Sequence, residues 1–78
     1  MKKRYLRFQA WSAPIPQPNA QKIDCVIDIT KIENMTRGSK QISICFNNDY
    51  FQNYYFNVEA QAKQVYNKIW EMLIQQED

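Results

Sequence analysis

The sequence predicts an α+β domain, a four-stranded antiparallel sheet in ββββα order packed against one long C-terminal helix. Three observations carry this. Residues 58–76 place apolar side chains at a helical period, four upstream segments alternate apolar and polar residues as strands do, and turn-forming residues separate those segments.

The first strand is expected over residues 3–11. Leu6, Phe8 and Ala10 point to the core, while Lys3, Tyr5, Arg7, Gln9 and Trp11 point away. Residues 12–21 hold all 3 prolines, Pro14, Pro16 and Pro18. These cannot donate to a ladder and bias the segment to a stiff, extended loop. Their spacing is not the Pro-x-x-Pro that polyproline grooves take.

Residues 22–33 form the longest strand candidate. Ile23, Cys25, Ile27 and Ile29 share the core face, with Asp24, Asp28 and Thr30 opposite. Ile32 breaks the alternation, which predicts a bulge near Thr30 and Lys31. The following turn contains Gly38, expected there to supply a positive φ. Residues 40–47 alternate again, with Ile42, Ile44 and Phe46 inward, and residues 47–49 form a second turn. The last strand, 50–57, points Tyr54 and Phe56 inward and Phe51 and Tyr55 outward, then runs straight into the helix.

On the helix, Val58, Ala62, Val65, Tyr66, Ile69, Met72 and Leu73 form one apolar arc, opposite Lys63, Gln64, Asn67, Lys68, Glu71 and Gln75. Asn57 is the expected N-cap, and Glu59 suits the positive end of the helix dipole. Trp70 and Ile74 fall at roughly 140° and 180° on the wheel, beyond the arc needed to cover a sheet. A helix that apolar has a second side to bury.

At 78 residues the chain reads as a single domain, 1–78, and its 45% apolar and 14% aromatic content argues for a packed core. No apolar run approaches the roughly 20 residues that span a bilayer. The basic N-terminus is not followed by the hydrophobic stretch of a signal peptide, so a cytoplasmic location is expected. Cys25 and Cys45 are expected to be free thiols. A hairpin of residues 22–32 with 40–47 sets Cys45 opposite about residue 30, and alternation sends the two sulfurs to opposite faces.

Catalysis is not expected, and neither is a cofactor or a metal. There is no histidine to act as a base near neutral pH, and the single glycine rules out a phosphate-cradling loop. Two cysteines without histidine are too few ligands for structural zinc. Asp24 and Asp28 lie roughly 13 Å apart along a strand, too far for a shared proton or one cation, and read as solvated carboxylates.

Two surfaces could bind. Tyr66, Trp70, Leu73 and Ile74 form an apolar helix side suited to a protein partner, with a second copy of the chain the expected occupant. This makes the chain an adaptor- or inhibitor-like binding module acting as a homodimer. Lys3, Tyr5, Arg7, Trp11 and Tyr55 give a second candidate interface, and the alternative function is a single-stranded nucleic-acid-binding face built from them. There cations would track phosphates and rings would stack on bases. The net charge is only +2, but Lys2, Lys3, Arg4 and Arg7 crowd the N-terminus, which reads either as a docking strip or as protection of a sheet edge.

Strands followed by one long C-terminal helix are similar in outline to a single-stranded-DNA-binding coactivator fold that pairs its helices in a dimer. The order is also similar to the last strands and helix of PH-like domains. Both likenesses rest on element order and imply a fold, not a function.

Overall fold

A computed structural model describes residues 4–75. Its elements are β1 (Tyr5–Trp11), β2 (Lys22–Asp28), β3 (Ile32–Arg37), β4 (Gln41–Phe46), β5 (Tyr50–Tyr55) and α1 (Glu59–Gln75). They form one antiparallel sheet in the order β2-β1-β5-β4-β3, with the helix against it. The α+β class and the closing helix stand as expected. The strand count does not: there are five strands, not four.

The extra strand comes from a break within residues 22–33. The Asp28 carboxylate accepts hydrogen bonds from the Thr30 amide (3.0 Å) and the Thr30 hydroxyl (2.6 Å). This local bonding competes with the ladder and closes a 3₁₀ turn over Ile29–Lys31. The irregular period at Ile32 therefore marks a strand break. The bulge lies further on, between Ile32 and Asn34.

Pairing follows suit. β2 pairs with β1 along its whole length, and β4 pairs with β3 and β5. Cys45 thus opposes Asn34 instead of residue 30, and Cys25 opposes Phe8. Both thiols are free.

This connectivity bends the sheet. β2 and β3 are its two edges, about 19 Å apart if five strands lay flat at about 4.8 Å spacing. The chain from Asp28 to Ile32 reaches at most about 14 Å. The sheet must therefore curl, and the ladder that resists bending least is the thinnest one. β1 and β5 share one pair, Trp11 with Tyr55. Inside the fold, the Phe8 ring of β1 meets Tyr54 edge-on at 5.1 Å and Phe56 at 6.3 Å, so aromatic contact joins the two halves.

Ile29, Ile42, Ile44, Ala62 and Ile69 are fully buried at the centre, with Ala10, Cys25, Ile27, Tyr54, Phe56 and Met72 around them. No polar or charged side chain is buried among the described residues. The helix seats Ala62, Ile69 and Met72 on the sheet, and half-buried Val65, Tyr66 and Leu73 flank them.

Two local expectations need correction. Gly38 has no positive φ; its amide bonds to the Gln41 carbonyl (2.8 Å) and a Cβ there would have room. The left-handed residue is Asp49 in the second turn (φ 61°), a side chain that tolerates that region. The helix also begins one residue late. The Val58 carbonyl accepts from the amides of Gln61 (3.2 Å) and Ala62 (3.5 Å), so Val58 occupies the cap and Asn57 lies outside it. Val58 is 48% exposed and leaves the apolar arc. The expected end at residue 76 falls outside the described residues.

Candidate functional site

The basic-aromatic strip is organised by the β1–β2 ladder. Arg7 donates to Asp24 through Nε and Nη2, at 3.0 and 2.7 Å to the same oxygen. Arg4 bonds Asp28 at 2.7 Å and lies over the Tyr5 ring at 5.4 Å. The hydrogen bond from Arg7 holds the Asp24 carboxyl below its ordinary range. Asp28 is pushed down to about 2, first by Arg4 and then, against a smaller cost of burial, by the bonds from Thr30.

These are the same carboxylates that read as solvated in the sequence. They reach the arginines because residues 12–21 close as a hairpin loop, with the Ser12 amide bonding the Gln21 carbonyl (2.8 Å), and this sets the register of β1 on β2. Tyr5 is 59% exposed, whereas Trp11 and Tyr55 are half-buried as partners in the β1–β5 pair. Lys3 lies outside the described residues.

Asp28 gives a pH-dependent prediction. Its folded pKa of about 2 lies below the ordinary 3.8, so it stabilises the fold above pH 3.8 and that contribution is lost as pH falls through about 2. Asp28→Asn should lower the melting temperature at neutral pH and leave a much smaller gap from wild type near pH 2. A gap of equal size at both pH values would refute the assignment.

The helix side over β3 is different in character. Trp70 is 46% and Ile74 61% exposed, while Tyr66 and Leu73 are half-buried and continuous with the core. The Tyr66 and Trp70 rings meet edge-to-face at 6.4 Å. Arg37 of β3 lies over Tyr66 (5.8 Å) and 3.7 Å from Glu59, anchoring this side of the helix to the sheet edge. Between strand and helix runs a shallow groove of about 160 Å³ lined by Ile32, Glu33, Asn34, Met35, Trp70 and Leu73.

A larger groove, about 560 Å³, lies on the other side of the helix. Its apolar floor of Leu6, Phe8 and Val65 is narrow, and Gln64, Asn67, Lys68 and Glu71 form its wall. Such long polar side chains keep a groove wet, and no activated group converges there.

Reactive groups are scarce elsewhere too. Burial raises the Cys25 thiol above its ordinary pKa, reinforced by the Asp24 charge, so its thiolate is disfavoured. Among the described residues, no group of three or more metal-ligating side chains comes together. No helix among them is long and apolar enough to cross a membrane. The chain matches no protein-family model, no curated protein and no solved structure.

Proposed function

We propose that this chain is a small non-catalytic binding module, adaptor- or inhibitor-like, acting through protein–protein contacts and as a homodimer in a reducing compartment. The observation that carries the reading is the helix side of Trp70 and Ile74. An indole and an isoleucine stand in solvent directly beside half-buried Tyr66 and Leu73. Burying apolar surface is worth about 25 cal/mol per Å², and an aromatic anchor beside a packed cluster is where interface energy concentrates. The inert thiol of Cys25 supports a non-catalytic role.

The test is sedimentation velocity of the wild type and of Trp70→Ala. The variant should remain folded, because Trp70 is half in water already, and should associate more weakly. A wild type that stays monomeric at about 10⁻³ M, where even a weak dimer would form, sinks the proposal.

Single-stranded nucleic acid is the weaker reading. A phosphate approaching Arg7 or Arg4 would compete with a carboxylate already hydrogen-bonded to the same guanidinium. That competition removes much of the electrostatic gain on which such binding depends.

A further inference from the structure

We propose that two copies join along their β3 edges, extending the sheet antiparallel through a two-fold axis at Met35. This rests on the homodimer reading above and specifies its geometry. β3 is an edge strand, and the helix side that exposes Trp70 lies over that edge, not over β2. The Met35 amide is held by Oδ1 of Asn34 (2.8 Å), a local cap that a neighbouring strand's carbonyl can replace. Asn34 and Thr36 beside it are exposed.

Charge selects the register. A pleated strand can shift only by two residues without turning its faces over. Centred on Met35, the pairing opposes Asn34 to Thr36 of the second copy and brings Glu33, at the bulge, beside Arg37, and symmetry forms each pair twice. Shifting the centre to Asn34 would carry Arg37 beyond the start of β3, beside Lys31 of the preceding 3₁₀ turn, a like charge. Centring on Thr36 would set Glu33 against uncharged Ser39.

Glu33, at the bulge, and Arg37 both lie close to the helix. Glu33 lines the groove with Trp70 and Leu73, and Arg37 reaches Tyr66 and Glu59. Neighbouring strands sit about 4.8 Å apart and packed helices about 8–10 Å apart. The same axis therefore brings the Trp70 and Ile74 sides of the two helices together above the joined edges.

A charge swap tests the register. Sedimentation velocity, with circular dichroism to confirm folding, would compare wild type, Glu33→Arg and the double variant Glu33→Arg/Arg37→Glu. Glu33→Arg should raise the dimer Kd roughly tenfold, because it replaces two attractions by two repulsions. The double variant should recover most of that loss. A dimer weakened by Trp70→Ala but indifferent to Glu33→Arg would overturn the β3 register and leave self-association standing. A wild type monomeric at about 10⁻³ M would overturn both.

Discussion

Replacing Ile44 by alanine should lower the unfolding free energy by about 2–5 kcal/mol, the range for removing a large aliphatic side chain from a close-packed core. Ile44 is 0% exposed in β4, paired with Met35 on one side and Gln52 on the other. The buried Ile42 and Ile69 share this core, and a close-packed interior relaxes only partly into a cavity. A domain this small has only about 4–12 kcal/mol to lose at 0.05–0.15 kcal/mol per residue. The loss is therefore a large share of the total, and Ile44→Val, at about 0.5–1.5 kcal/mol, supplies the graded control. Urea denaturation reads both. A midpoint unmoved by Ile44→Ala would place that side chain outside the core.

Phe8→Ala should cost about 3 kcal/mol, the low end for a core aromatic because Phe8 is only half-buried. The cost comes from a special place. β1 and β5 share one pair, so the ring contacts of Phe8 with Tyr54 and Phe56 carry much of the attachment between the halves of the sheet. Tyr54 offers a direct readout. Burial pushes its hydroxyl up to about 12, and exposing it to water should return the pKa toward 10. Ultraviolet titration of the tyrosines would show the shift. Lost stability with no change in titration would mean that Phe8 does not cover Tyr54.

The sheet faces and the helix were legible because periodicity reports burial directly. Ile42, Ile44, Tyr54, Phe56, Ala62, Ile69 and Met72 lie inside as their spacing requires. The break after Asp28 was not legible. Ile29 continues the apolar alternation across it, and the bonds from Thr30 to Asp28 compete with a ladder only once the chain has turned.

The helix start failed for a related reason. Asn57 is a good cap by residue type, but the Phe56 amide still bonds the Lys40 carbonyl (2.9 Å). Sheet pairing thus runs on and delays the helix. At the candidate sites, the exposure of Trp70 and Ile74 followed from the helical wheel. The pairing of Arg7 with Asp24 did not, because it depends on a register set by a loop whose conformation no local pattern encodes.

The turn over Ile29–Lys31 also bears on how the fold is reached. Every strand ladder except one joins neighbours in sequence: β1 with β2, β3 with β4, β4 with β5. Each closes a short loop, and the entropy lost in closing a loop grows only slowly with its length. The exception is the Trp11 and Tyr55 pair, which joins the first strand to the last. By placing the two edge strands back to back along the chain, the turn divides the molecule into two locally wired units. Among the strand ladders of the described residues it leaves one long-range closure for the aromatic rings to complete.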